Sequence, residues 1–298
     1  MNIRWVDDLS QDEAAVRALL QAAGGVDGWP QLPPGAPLPS ELAKGPYLLG
    51  QDDGLLVAVG QLNEAGDAFG RQVAELIVHP GHRGRGHGGA MLDHILARAA
   101  TTLRVWSHTD HPAAAALARR HGFARVRELL RMGMPLSEDL PSVQLPEGVT
   151  LRTFRPGIDE RPLVEVNARA FSWHPEQSQL SVADVAAAER EEWFDPEGLF
   201  VVERDQRLVG FHWTKVHPAA DGEDPVGEVY VVGVDPDAHG GGLGRNLTIA
   251  GLHYLRKRGL KRVILYVEGD NAPALAVYRK LGFTVESTAV QYERTVTT

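Results

Sequence analysis

Val234-Asp235-Pro236-Asp237-Ala238-His239-Gly240-Gly241-Gly242-Leu243-Gly244-Arg245 leads from a β-branched run into an amphipathic one, and Val78-His79-Pro80-Gly81-His82-Arg83-Gly84-Arg85-Gly86-His87-Gly88-Gly89 does the same earlier in the chain. Glycines packed this closely between a predicted strand and a predicted helix let backbone N–H groups converge on one point, where the helix dipole also favours negative charge. The pattern predicts a strand–turn–helix that cradles a diphosphate. One such cluster reads equally well as a flexible surface loop, but two in the same context favour a built site.

The two stretches belong to a repeat. Setting Arg83 on His239 also sets Val73, Val78, Pro80, Gly84, Gly86 and Gly88 on Val229, Val234, Pro236, Gly240, Gly242 and Gly244, and a slightly longer shift sets Asp110, Ala114, Ala116, Arg119, Gly122 and Phe123 on Asp270, Ala274, Ala276, Arg279, Gly282 and Phe283. A long period that occurs twice means duplicated domains and not a solenoid. Pro135, Pro141 and Pro146 punctuate a stretch with little apolar periodicity, which predicts domains over 1–140 and 149–298 joined by a linker over 141–148.

Each half reads as a mixed α/β unit. Short strands are predicted at Ile3–Val6 and Val149–Phe154, then helices, one opened by a capping box at Ser10-Gln11-Asp12-Glu13 and another over Val182–Phe194 behind Ser181 and Asp184. Strands follow at Leu55–Val59, Val73–Val78, Leu199–Glu203, Leu208–Val216 and Val229–Val234. The glycine turn, a long helix, the strand Arg262–Val267, a helix ending at Leu281 and a final strand complete the unit.

Composition removes several classes of function. The 298 residues carry 30 Lys+Arg against 39 Asp+Glu, a net charge of −9, and are 43% hydrophobic, which excludes a generally basic nucleic-acid binder and a disordered chain. Cysteine is absent, so no disulfide, thiolate metal site or cysteine nucleophile enters the chemistry. No stretch approaches the roughly 20 apolar residues of a membrane span and the N-terminus lacks the apolar core of a signal peptide, so the expectation is a cytoplasmic monomer with no membrane or nucleic-acid partner. His79, His82 and His87 lie together, yet they sit inside a glycine turn with no carboxylate in the cluster, and the second copy has Asp235, Ala238 and Leu243 in their places. No metal site is expected.

The phosphate ligand is narrowed by what the turns lack. Gly84-x-Gly86-x-x-Gly89 formally matches a dinucleotide fingerprint, but the second copy has Arg245 where the third glycine belongs, and neither turn is followed by Gly-Lys-Ser or Gly-Lys-Thr. The shared pattern is Arg83-x-x-Gly86-x-Gly88 and His239-x-x-Gly242-x-Gly244. It resembles the acyl-CoA turn of the GCN5-related N-acetyltransferases (GNAT), and that resemblance implies two tandem GNAT domains and acetyl-CoA as cosubstrate. Asn271-Ala272-Pro273-Ala274-Leu275-Ala276-Val277-Tyr278, leading to Gly282-Phe283, carries the resemblance further. In the superfamily the tyrosine of this helix lies near the CoA sulfur, where a phenol of pKa about 10 can act as general acid.

On the strand before the second turn, Glu228 precedes Val229-Tyr230-Val231-Val232-Gly233-Val234, and the strand glycine predicts a bulge or a close approach of another backbone. The resemblance implies that pantetheine pairs with this strand, that an N–H near Val232 is the oxyanion donor, and that Glu228 is the general base. A solvated strand-end glutamate and a half-buried packing tyrosine are the alternative readings. The first copy has Gln72 and Ala118 at these positions, so chemistry is expected in the second domain only.

Within the superfamily, the segments Phe171–Gln177, Glu192–Gly198, Gly210–Pro218 and Gly227–Pro236 resemble the mycothiol synthase family, tandem-domain enzymes that acetylate the cysteinyl amine of a cysteine-glucosamine-inositol conjugate. That resemblance implies acceptor contacts from Glu41, Glu176, Lys215, Glu228 and Tyr266. It implies CoA contacts from Leu76, Ile77, Val78, Arg83, Gly84, Arg85, Gly86, His87, Gly88 and Gly89 in the first copy. In the second they come from Val232, Gly233, Val234, His239, Gly240, Gly241, Gly242, Leu243, Gly244 and Arg245, with Asn271, Ala272, Pro273, Ala274, Leu275 and Ala276 on the following helix. An acetyltransferase for another small-molecule amine, and a non-catalytic acyl-CoA-binding protein, remain alternatives.

Overall fold

The computed structural model describes residues 1–27, 37–39, 42, 45–67, 69–173, 177–219, 224–238 and 240–296. The chain folds into two units, one built from Met1–Leu129 with Ser287–Thr298 and the other from Leu130–Glu286. These are not the contiguous halves 1–140 and 149–298 expected from the prolines. The final strand of the second repeat supplies the edge of the first unit's sheet, and the equivalent strand of the first repeat supplies that of the second.

The first unit orders its strands β1 (Asn2–Val6), β2 (Tyr47–Asp52), β3 (Leu55–Asn63), β4 (Gln72–Val78), β5 (Leu103–Ser107) and then β12 (Thr284–Arg294) from Ser287 onward. Neighbours are antiparallel from β1 to β4, β4 and β5 are parallel, and β12 returns antiparallel. Alternation decides the layers. Leu48, Ala58 and Leu62 face Met91 and Ile95 of α2 (His87–Arg98), while Leu49 and Val59 face Val16, Leu19, Leu20 and Ala23, the helical stripe of α1 (Glu13–Asp27). Val290 and Tyr292 of β12 enter the first of these clusters beside Leu103 and Phe123, and burial of side chains this size stabilises by about 1.5–3 kcal/mol each. Across the same pairing, Arg104 reaches Glu293 at 2.7 Å and Gln291 at 3.0 Å. The capping box expected at Ser10 does not form: the Ser10 hydroxyl and amide both turn back to Asp8, and α1 starts at Glu13. A short helix, α3 (Pro112–Arg120), precedes the return strand.

The second unit runs β6 (Ala124–Pro135) from Leu130, then β11 (Arg262–Glu268), β10 (Val226–Val234), β9 (Arg207–His217), β8 (Leu199–Arg204) and β7 (Val149–Thr153). On one face α6 (Leu243–Lys257) buries Leu252 and Leu255 against Met132, Val263, Leu265 and Phe283, together with α7 (Ala272–Leu281). Leu163 and Val166 of α4 (Glu160–Ala170) cover Val201, Phe211 and Trp213. The predicted helix over Val182–Phe194 is shorter: α5 spans Val182–Ala188, where Ser181 and Asp184 form a capping box, and Trp193 and Phe194 leave the helix to pack on Trp213. Among the described residues no helix is long and apolar enough to cross a membrane.

Candidate active site

In each unit the parallel pair of strands forms a fork. β10 pairs with β9 from Val226↔His217 to Val234↔Gly210, but with β11 only from Gly227↔Val263 to Val229↔Leu265. The register with β9 slips between Val229 and Val231, so Tyr230 is the extra residue of a bulge. Beyond it the β11-facing edge of Val231–Val234 has no ladder partner among the described residues and presents backbone N–H and C=O groups to whatever enters. Gly233 is therefore not the bulge, nor is it approached by another backbone; it makes room for a side-chain ring, because a Cβ there would stand 2.6 Å from Cε1 of Phe211.

The turn closes the fork. Gly240, Gly241 and Gly242 hold φ of +104°, +60° and +71°, values that only glycine adopts without strain. Gly242 caps α6 with no side-chain hydrogen bond, leaving first-turn N–H groups for a ligand. Val232, Val234, Leu243, Gly244 and Arg245 stand on this strand–turn–helix, but His239 lies outside the described residues. On α7, the Asn271 side chain accepts from the Ala274 amide at 3.2 Å as the helix cap.

One face of the β9–β10–β11 ladder collects polar side chains. Glu228 is opposite Lys215 in register, and His217 lies diagonally from Glu228 on the same side. Glu228 is only 6% exposed, and its Oε2 lies 2.6 Å from Nε2 of the half-exposed His217. It is thus not a solvated strand-end carboxylate. The Lys215 ammonium sits 4.5 Å from the Trp193 ring and 5.2 Å from the Tyr230 ring, and Tyr230 packs edge to face on both Trp193 and Trp213, which are tilted on one another. Burial raises the phenols of Tyr230 and Tyr266, and the charge of Glu228 adds to both; for Tyr266 the Arg131 guanidinium pulls the other way.

Tyr278 belongs to the opposite environment. Its ring packs 5.7 Å from Phe283 in the cluster that also takes in Val232, and burial alone pushes its pKa up to about 12. Lys215, Glu228 and Tyr266 therefore share one face, whereas Tyr278 lies in an apolar wall without a charge from Glu228 acting on it. Glu41 and Glu176 lie outside the described residues. His217 was missed in the sequence; the hairpin register, which places it diagonal to Glu228, is the signal that would have found it.

The first unit has the same fork without the same side chains. β4 pairs with β5 only from Gln72↔Leu103 to Ala74↔Val105, and a cavity of about 280 Å³ opens beyond, lined by Leu76, Ile77 and Val78, the turn and α3. Arg83 is engaged rather than free: its guanidinium grips both carboxylate oxygens of Asp27 at 2.8 and 2.6 Å, and its Nε donates to the Val78 carbonyl. Arg85 donates to the Gly81 carbonyl. Gln72, at the position of Glu228, is buried and bonded to the backbone of Glu64, Ala100 and Thr101. Ala118, at the position of Tyr278, is an apolar core residue.

A strand fork closed by a glycine turn at a helix N-terminus thus occurs twice, an open backbone edge beside an anion cradle in each unit. Residues 167–283 match the acetyltransferase (GNAT) family and residues 44–125 a GNAT acetyltransferase domain. Solved structures agree on the fold: a GCN5-related N-acetyltransferase from Sphaerobacter thermophilus superposes with TM-score 0.74 at 23% identity over 99% of this chain and 96% of its own. A tandem GNAT protein of the clavulanic acid biosynthesis pathway does so with TM-score 0.68 at 20% identity, covering 100% and 99%. The chain is a tandem GNAT N-acetyltransferase. Within that class it belongs to the mycothiol acetyltransferase family, sharing 58% identity with the Saccharomonospora viridis member over 98% of both chains, and 53% with that of Amycolatopsis mediterranei over 97% of this chain and 98% of its relative.

Proposed function

We propose that the second unit transfers acetyl from acetyl-CoA to the cysteinyl amine of a cysteine-glucosamine-inositol conjugate, the step that yields mycothiol. Near-full-length identity to the mycothiol acetyltransferases supports the substrate, and the buried Glu228 beside the strand fork is the observation that supports the chemistry. Pantetheine would pair with the open edge of Val231–Val234, with its diphosphate on the Gly240–Gly242 turn. Acetyl-CoA supplies the activated acyl group.

An α-ammonium has a pKa of about 8, so one proton must leave before the nitrogen can attack. The Glu228 carboxylate takes it, and half-exposed His217, hydrogen-bonded to that carboxylate, passes it towards solvent. The amine adds to the thioester carbonyl while the Val232 N–H holds the oxyanion; Glu228, emptied through His217, takes the second nitrogen proton as the intermediate collapses, and the C–S bond breaks to give the neutral amide. Tyr278 donates to the departing sulfur. With its pKa about 12 against about 8.5 for a thiol, full transfer is uphill by about 5 kcal/mol, so the phenol acts first as a hydrogen-bond donor, gives its proton to the sulfur as C–S cleavage completes and recovers one from solvent. Lys215 and Tyr266 would contact the sugar hydroxyls, with Glu176 and Glu41 as further acceptor contacts. The first unit, lacking an acid and a base at these positions, would be non-catalytic, and the enzyme would act as a cytoplasmic monomer.

The test is CoA thiol release from acetyl-CoA, comparing the conjugate with simple amines and aminoglycosides. Fast release with the conjugate alone supports the proposal. Release with other amines discards the substrate and keeps the chemistry; no release with any acceptor leaves an acyl-CoA-binding protein.

A further inference from the structure

We propose that Asp52, His82 and His87 form a binding site for a divalent transition-metal ion that pins the glycine turn of the first unit to the end of β2. The sequence predicts no metal at these histidines because no carboxylate lies in their cluster; the fold supplies one from thirty residues away in β2, a residue that has no signature of its own.

Geometry comes first. One ligand atom from each of the three lies within 4.8 Å of the other two, His87 Nε2 is 3.6 Å from Asp52 Oδ2, and the two imidazole centroids are 6.4 Å apart. Tetrahedral zinc with bonds of about 2.0–2.1 Å needs ligand atoms about 3.3 Å apart, so small rotations of these side chains bring all three onto one ion.

The nitrogens are also unsatisfied. His87 is 9% exposed, and its Nε2, like Nδ1 of His82, is buried with no hydrogen-bond partner among the described residues. Buried polar atoms are nearly always paired, and each that is not carries a desolvation cost with no return. At the equivalent positions the sister unit carries two residues that cannot ligate a metal, Ala238 and Leu243, both in the apolar core, 4% and 2% exposed. The first unit replaces both core residues with imidazoles and turns them towards one carboxylate.

Two imidazoles and a carboxylate suit Zn²⁺, Co²⁺ or Ni²⁺ rather than Mg²⁺ or Ca²⁺, which take oxygen ligands. The three ligands leave a coordination position open, and both histidines border the cavity beside the turn. Gly84 and Gly86, with φ of +76° and +84°, lie between the histidines, so the ion would hold together the part of the turn with least intrinsic rigidity.

The experiment uses tag-free full-length protein stripped of metal with a chelator. Co²⁺ titration followed by visible d–d absorption, and Zn²⁺ titration by calorimetry, should show one ion per chain at this site, with Zn²⁺ raising Tm by several degrees. His82→Ala with His87→Leu installs the residues of the sister unit. It should weaken Zn²⁺ binding at least tenfold and abolish the Co²⁺ band while leaving the metal-free Tm unchanged or higher, because it removes the unpaired nitrogens. Asp52→Asn alone, at a part-buried side chain whose other carboxylate oxygen lies 3.5 Å from the Met1 amine, should weaken binding as well. Failure of the wild-type protein to bind at micromolar metal, or binding undiminished in both variants and so located at other histidines, would overturn the site.

Discussion

Glu228 is the side chain on which turnover should depend most steeply. Replacing it with Gln keeps the shape and removes the base, so kcat should fall about 10²–10⁴-fold, most at low pH where free amine is scarce. A thiol-release pH profile checks this, and a uniform loss across pH would reassign Glu228 to binding. Tyr278→Phe should lower kcat with acetyl-CoA affinity retained. A different residue governs stability at acid pH. The His212 ring is fully buried under α6, where a Cβ on Gly251 would stand 2.1 Å from it, and its Nδ1 is 2.7 Å from the Leu247 carbonyl. Burial pushes its pKa down to about 4 against the opposing Leu247 carbonyl, so the folded state holds it neutral while the unfolded chain protonates it near 6.5. Its contribution is therefore present above pH 6.5 and lost as pH falls towards 4, about 3 kcal/mol in all. Urea midpoints measured from pH 7 to pH 4 should fall less steeply in His212→Asn than in the wild type.

At the scale of the element, β10 carries the site because it pairs fully on one side and briefly on the other. Its glycine was legible in the sequence as a special position, but its role was not: the slip in register belongs to Tyr230, and Gly233 exists to admit the Phe211 ring. Gly233→Ala should cost about 1–3 kcal/mol, since the ring cannot retreat without disturbing a packed core, and chemical denaturation reads that cost directly. Gly242→Ala tests the turn instead. A left-handed φ with a Cβ costs about 1–2 kcal/mol, so this variant should lose stability and bind CoA more weakly in equilibrium titration.

For the whole molecule, the exchange of edge strands makes cutting the chain at the repeat boundary a mistake. Residues 1–140 lack Val290 and Tyr292 of the first unit's core and the Glu293 partner of Arg104. Expressed alone they should show no cooperative thermal transition by circular dichroism. Joining residues 287–296 to 1–129 through a glycine linker should restore one; a cooperative melt of 1–140 by itself would show that the exchanged strand is dispensable.

Much was legible from local pattern. The repeat, the mixed α/β class, the two glycine turns and the presence of Glu228 and Tyr278 in one copy only are carried by residue type at fixed spacing, because turns and caps are decided by neighbours in the chain. Strand exchange, the His217 partner of Glu228, the aromatic surround of Lys215 and the approach of Asp52 to His82 and His87 are not. Those depend on which strand edges meet and in what register, and hydrogen bonds between backbones carry no residue-specific address; only the burial of whole faces in the tertiary structure selects the partners.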